Sequence, residues 1–420
     1  MDKTPFSLVT GLVCLTCERR YPFQLMLEGC PDCRAAGRIA ILDPVYAEDA
    51  RVAAALSRAQ PRSLWGYHPL LPVPNAANVV SLGEGGSPLL PLDPSGDERR
   101  PGEWKVKYEA VNPTHSYKDR TNAVAVSAAR AFGCDKVVCT STGNHAVALA
   151  SYAARANLRC LILLPPEAPP LSVKEMRFFG AEVVTIADGN IVPLIAELVA
   201  NHGWYVSQRN APGVGGRPFG NPYGMEGYKT IAYEVFHQLG GRAPDKVFLP
   251  VGGGDAAWGV YKGFRELRDS GLANRIPQII ACQSTAGAPL EHALRNGLQA
   301  VAPVDTSSTI AYSIVERQTG DHALWAIQRS GGRAVGVDDT ALRRAERTFA
   351  AAGICVEPSS AASLAAASLM AEQGEIAEDE TVVLIATGAG LRWPATFADN
   401  ASPIPAVEGT LQALERHVRL

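Results

Sequence analysis

A chain of 420 residues, 47% hydrophobic and 19% charged, carries enough apolar material for two or three packed units and too little charge for extended disorder. Its net charge of −3 and pI near 6.3 leave no basic footprint, which argues against nucleic acid as a partner, and no apolar run approaches the roughly 20 residues that span a bilayer. The start, Met1 to Pro5, lacks the basic and apolar stretches of a secretory leader, so a cytoplasmic protein is expected.

Four of the nine cysteines are grouped at the start of the chain. Cys14 and Cys17 form one CxxC pair, Cys30 and Cys33 a second, with twelve residues between them. Each pair is tight enough to put two thiolates on one tetrahedral ion, and four thiolates leave no open coordination position. The spacing therefore predicts a structural zinc ribbon over residues 1–38, with a redox pair as the competing reading. The other five cysteines (Cys134, Cys139, Cys160, Cys282, Cys355) lie in apolar stretches and read as small core residues.

After the ribbon, the alanine-rich stretch 46–60 has helical periodicity, and the proline-rich stretch 61–74 reads as a linker or extended arm. A glycine-rich turn at 81–89 precedes the main fold. From Lys105 onward, short apolar strands alternate with helices. Strands are predicted at 136–140, 159–164, 182–186, 246–251, 278–282 and 381–386, and helices at 145–156, 172–179 and 256–267. This alternation predicts an α/β fold with largely parallel sheets covered on both faces. Ligand sites in such folds lie where strand C-termini meet helix N-termini.

Four loops carry the chemistry. The run Asn112-Pro113-Thr114-His115-Ser116-Tyr117-Lys118-Asp119-Arg120 delivers one lysine to the mouth of a helix, where partial desolvation would free its amine to condense with an aldehyde. An ordinary surface lysine at a helix start is the bland reading. Thr140-Ser141-Thr142-Gly143-Asn144-His145 follows a strand and opens a helix, so Asn144 is either a helix cap or an amide donor to a ligand oxygen. Gly252, Gly253, Gly254, Asp255 and Ala256 again join a strand to a helix. Their consecutive N–H groups suit a phosphate monoester, although three glycines also make an ordinary tight turn. Thr387, in Ala386-Thr387-Gly388-Ala389-Gly390-Leu391 after the last strand, is a turn residue or a hydroxyl beside a ring nitrogen.

The order of these runs resembles the threonine synthase branch of the fold-type II pyridoxal-phosphate enzymes, from about Ser81 to Pro394. The branch has a similar Asn-Pro-Thr-Gly-Ser-Phe-Lys-Asp-Arg, and the run at 221–230 is similar to its Asn-Pro-Tyr-Arg-Ile-Glu-Gly-Gln-Lys-Thr. The four-cysteine start resembles members of the same branch. The resemblance implies two doubly wound domains behind the ribbon: a large cofactor domain from 39–118 and 225–420, and a smaller mobile domain at 119–224. It implies that Lys118 holds pyridoxal phosphate and shuttles the substrate's α proton. Asn144 would face the ring oxygen, Gly252 to Ala256 the phosphate, and Thr387 the ring nitrogen. Ser141, Thr142 and Gly143, with His115 at the edge, would face an amino-acid substrate. A homodimer is the state that relatives suggest.

The departures lie on the substrate side. Gly224 stands where the branch has an arginine, Val315 ends a run whose counterpart is Ala-Thr-Ala-Ile-Arg, His115 replaces a glycine, and Tyr228 replaces a glutamine. Arg217 is a candidate replacement cation. The expected reaction is elimination or replacement on an activated, O-phosphorylated amino acid. A serine or threonine dehydratase, or a β-replacement enzyme such as a cysteate synthase, is the alternative.

Overall fold

The computed structural model describes residues 5–38, 40–59, 62–92, 101–188, 191–208, 220–393, 397, 404, 406–416 and 418. Its strands form three sheets. β1 (Val9–Cys14), β2 (Arg20–Pro22) and β3 (Leu42–Tyr46) make a small antiparallel sheet in the order β2-β1-β3. β4 (Leu89–Pro91) and β5 (Glu103–Tyr108) come next and belong to a six-stranded sheet. β6 (Lys136–Cys139), β7 (Arg159–Leu164), β8 (Glu182–Thr185) and β9 (Tyr205–Val206) form a parallel sheet in the order β8-β7-β6-β9. β10 (Lys246–Pro250), β11 (Gln278–Ser284), β12 (Arg333–Val337) and β13 (Thr381–Ala386) complete the larger sheet in the order β12-β11-β10-β13-β5-β4, parallel except at β4.

The larger sheet is apolar on both sides because both sides are covered. Val247 and Leu249 of β10, with Val383 and Ile385 of β13, pack into one core beneath the helices Glu226–Gln238 and Asp255–Asp269. Phe248, Val382 and Leu384 enter another core with the helices Asp339–Ala351 and Pro358–Glu372. Alternate residues thus serve opposite layers, as the two-residue period of a strand requires. The α/β class expected from the sequence is the one observed. Among the described residues no helix is long and apolar enough to cross a membrane.

A third core serves the four-stranded sheet and takes in Leu12, Cys14, Cys30 and Leu42 of the N-terminal segment. That segment is fastened elsewhere too. Lys262 Nζ lies 3.0 Å from Asp43 Oδ2 and 2.7 Å from Glu226 Oε1, all buried. The Tyr223 hydroxyl donates to Gln24 O and accepts from Met26 N at 2.9 Å, and Gly220 N donates to Leu27 O at 2.7 Å. Residues 220–223 therefore rest on the ribbon.

The stretch 61–74 differs from expectation. Its described part forms a 3-10 helix, Leu64–Leu70, and Leu64, Tyr67, Leu70, Leu71 and Val73 are all buried. Pro69 sits inside this helix and Pro72 is buried, so the described part of the stretch is a packed segment and not an exposed linker. The helix expected at 46–60 begins later, at Asp49, because 42–46 is taken by β3.

Candidate active site

Lys118 opens the helix Lys118–Ala131, and the turn before it is fixed from both sides. Thr114 N and Oγ1 both donate to the Asp119 carboxylate at 2.9 Å, closing the turn on itself. Tyr117 N donates to Thr387 O at 2.8 Å and Ala389 N to His115 O at 3.0 Å, which tie the lysine turn to the loop after β13. Behind it, Arg120 is fully buried between Glu109 and Glu234, at 2.7 Å from each. Such a buried ion cluster is costly to break on one side only, so the arginine of the motif anchors the lysine helix to the larger sheet.

A cleft of about 350 Å³ collects the expected groups at the C-terminal ends of the strands. It is lined by Lys118, by Ser141 to His145 at the start of the helix Asn144–Ala156, by Gly252 to Ala256, and by Thr387. Gly254 has φ 104°, and a Cβ there would lie 2.6 Å from Ala323 Cβ, so the position demands glycine. Gly253 has open space around it. Asp255 Oδ1 lies 3.0 Å from His322 Nε2, and the fifteen-residue helix Asp255–Asp269 points its N-terminus at the cleft. A glycine cradle on a helix N-terminus, an amine, and separate amide and hydroxyl groups fit a phosphorylated aldehyde with a polar aromatic ring.

The electrostatics correct one expectation. Burial works against the Lys118 ammonium, but the oxygens of Tyr117 and Tyr228 and the Asp255 carboxylate outweigh it, so its pKa lies above the ordinary lysine value rather than below. The amine sits 4.6 Å from the centre of the Tyr117 ring and hydrogen-bonds the Tyr228 hydroxyl. His145 is the opposite case. Burial and the Lys118 charge lower its pKa to about 3, and it contacts Ser207 Oγ at 2.9 Å, so it is a neutral packing residue.

Asn144 does not face an empty site. Its Nδ2 donates to Glu357 at 2.9 and 3.1 Å, and Glu357 also lines the cleft. Glu357 was not visible as a site residue in the sequence, although a Glu-Pro pair after an apolar stretch is a helix-start signal. Thr387 Oγ1 lies 2.8 Å from Ser360 Oγ. Thr142 Oγ1 meets the Tyr312 hydroxyl at 3.1 Å, joining loops from the two parallel sheets.

Two of the substrate-side departures have packing explanations. His115 is exposed, lies outside the residues lining the cleft, and has φ 62°, a conformation that suits the glycine of the related motif. Gly224 also lies outside the cleft lining, and a Cβ there would be 2.9 Å from Thr121 Oγ1. A side chain at that position would have to displace the Thr121 hydroxyl. Arg217 falls outside the described residues. In the N-terminal segment the four thiols of Cys14, Cys17, Cys30 and Cys33 lie within 4.8 Å of one another, with Cys14–Cys33 and Cys17–Cys30 both at 3.7 Å. Sulfurs bound to one tetrahedral zinc would be about 3.8 Å apart.

Comparison with known proteins points the same way. The model of the family described as pyridoxal-phosphate dependent enzyme matches residues 80–388. A threonine synthase of Methanosarcina acetivorans is 32% identical over 415 residues, covering 97% of this chain and 98% of that protein. One of Methanocaldococcus jannaschii is 32% identical over 411 residues, covering 96% and 98%. Among solved structures, threonine deaminase isoform 2 of Solanum lycopersicum superposes with a TM-score of 0.63 at 20% identity, covering 96% of this chain and 99% of that one. A pyridoxal 5'-phosphate-dependent aspartate racemase gives 0.61 at 23%, covering 72% and 90%.

Proposed function

The chain belongs to the pyridoxal-phosphate-dependent enzyme family, and on that premise we propose that it is a threonine synthase-like lyase, acting by elimination or replacement on an O-phosphorylated amino acid. The convergence of Lys118, Asn144, the Gly252–Gly254 turn and Thr387 on one cleft carries this reading. Bound there, pyridoxal phosphate would supply the aldehyde and a conjugated ring able to stabilise negative charge at the substrate's α carbon. Lys118 would hold the aldehyde, and its free amine would carry the α proton. The helix N-terminus behind Gly254 binds the phosphate. Ser141, Thr142 and Gly143 receive the substrate carboxylate through hydroxyl and N–H groups.

The same reading divides the chain into a ribbon at 1–38, a large domain from 39–118 and 225–420, and a smaller domain at 119–224 that closes on substrate and excludes water. A structural zinc on the four clustered cysteines, a homodimer and a cytoplasmic location complete it. Zinc analysis of the purified protein and a sedimentation measurement check the first two.

One observation favours a second reading. Among the described residues lining the cleft, Lys118 is the only lysine or arginine, while Asp255, Glu316 and Glu357 supply carboxyl groups. A doubly charged leaving group would gain little there, and a serine or threonine dehydratase needs none. Phosphate release from O-phosphohomoserine and O-phosphoserine, set against keto-acid release from threonine and serine, separates the two. Turnover of the phosphate esters supports the first reading; turnover of the free hydroxy amino acids alone replaces it with the second.

A further inference from the structure

Glu357 is 1% exposed and, among the described residues, makes no ion pair, the Arg392 charge acting on it only from a distance. Its hydrogen-bond partners are neutral donors drawn from three separate segments. Oε2 accepts from Trp393 Nε1 at 2.7 Å and from Asn144 Nδ2 at 2.9 Å, and Oε1 lies 3.3 Å from Ser313 Oγ and 3.1 Å from Asn144 Nδ2. A buried carboxylate with no direct ion-pair partner is costly, whereas a carboxylic acid fits this set. Its carbonyl oxygen takes the Trp393 and Asn144 hydrogens, and its O–H is left to donate to Ser313 Oγ, a hydroxyl able to accept. Burial raises the pKa of this carboxyl above the ordinary value, in the direction that arrangement needs. One turn further along the helix Pro358–Glu372, Ser360 accepts from Gly388 N at 2.8 Å and lies against the Thr387 hydroxyl. The first turn of that helix thus touches both polar groups assigned above to the two edges of the cofactor ring.

We propose that Glu357 is a positioning residue of the cofactor site: a neutral carboxyl that takes up one amide hydrogen of Asn144 and so leaves the other for the cofactor's ring oxygen. The role rests on the cofactor reading given above. It belongs to the chain's own residues. A carboxylate in the same place would put a negative charge beside that ring oxygen, and an aliphatic side chain would leave the Asn144 amide free to turn away.

The test is pyridoxal-phosphate binding to the cofactor-stripped full chain, followed by visible absorbance, with melting temperature as the folding control. Glu357→Gln preserves both the acceptor and the donor, so it should bind within about threefold of the wild type with an unshifted absorbance maximum. Glu357→Ala should bind about tenfold to a hundredfold more weakly, with a shifted maximum. Glu357→Asp keeps the acid but shortens its reach. It should behave like the Ala variant and takes its place if that variant does not fold. The Asn144→Ala/Glu357→Ala pair should bind no worse than Asn144→Ala alone, because the two groups act as one. Wild-type affinity and absorbance in Glu357→Ala or Glu357→Asp would overturn the role, as would a Gln variant as damaged as the Ala variant. A wild-type chain that takes up no cofactor would instead remove the underlying reading, and this one with it.

Discussion

The wall of the cleft built on the six-stranded sheet and the wall built on the four-stranded sheet are made to different standards. On the first, Thr387, Glu357 and Ser360 are buried and hydrogen-bonded to one another's loops, and Gly254 is required by its left-handed backbone. On the second, Ser141, Thr142 and Gly143 are half-buried on a short turn, linked across the cleft by the Thr142–Tyr312 hydroxyl pair. The departures from the related motifs do not follow that division: Tyr228 lies on the helix Glu226–Gln238 packed against the larger sheet, and Val315 follows Tyr312 on the same side.

Removing the proposed zinc should give the largest effect, because residues 220–223 rest on the N-terminal segment that carries the four cysteines. Chelation is expected to cost several kcal/mol in stability and to open residues 9–46 to protease. An unchanged melting temperature would separate the second wall from its brace. Gly254→Val attacks the first wall. The left-handed backbone and the contact with Ala323 are expected to cost about 3 kcal/mol, roughly a hundredfold in cofactor affinity, with little change in the fold measured by circular dichroism. Retained affinity would mean that the cradle is not where the phosphate binds.

A smaller effect separates the walls by pH. His145 has a pKa near 3 when folded and about 6.5 when exposed, so unfolding takes up a proton between those values. Stability is full above pH 6.5 and falls as the pH drops towards 3, by about 2 kcal/mol at pH 5. His145→Gln should flatten that acid limb in a series of thermal melts; an unchanged limb would assign it to other groups. The smallest effect is His115→Gly, which relieves a left-handed φ and should add about 1 kcal/mol of stability without changing cofactor binding.

Legibility followed the physics that holds each part. The strand at 159–164 was readable to the residue because it is a bounded apolar run inside a doubly covered sheet. β1 to β3 were not, since a cluster of four cysteines and contacts to distant helices hold them in place of a large apolar face of their own. The proline-rich stretch misled because proline signals a turn whether or not its neighbours are buried. Lys118, Asn144, the glycines and Thr387 were legible from strand–loop–helix context. Glu357 was not, because its partners come from segments more than forty residues apart in the chain. The packing of Gly224 against Thr121 was not legible either, because that contact comes from a distant helix.

The central claim is that Lys118 is the cofactor's attachment point. Borohydride reduction of the pyridoxal-phosphate-loaded protein, followed by peptide mass analysis, tests it directly. The cofactor's mass should appear on the peptide carrying Lys118, and Lys118→Ala should show neither that mass nor the visible absorbance of a protein-linked cofactor. Attachment to another lysine, or undiminished absorbance in Lys118→Ala, would contradict the claim.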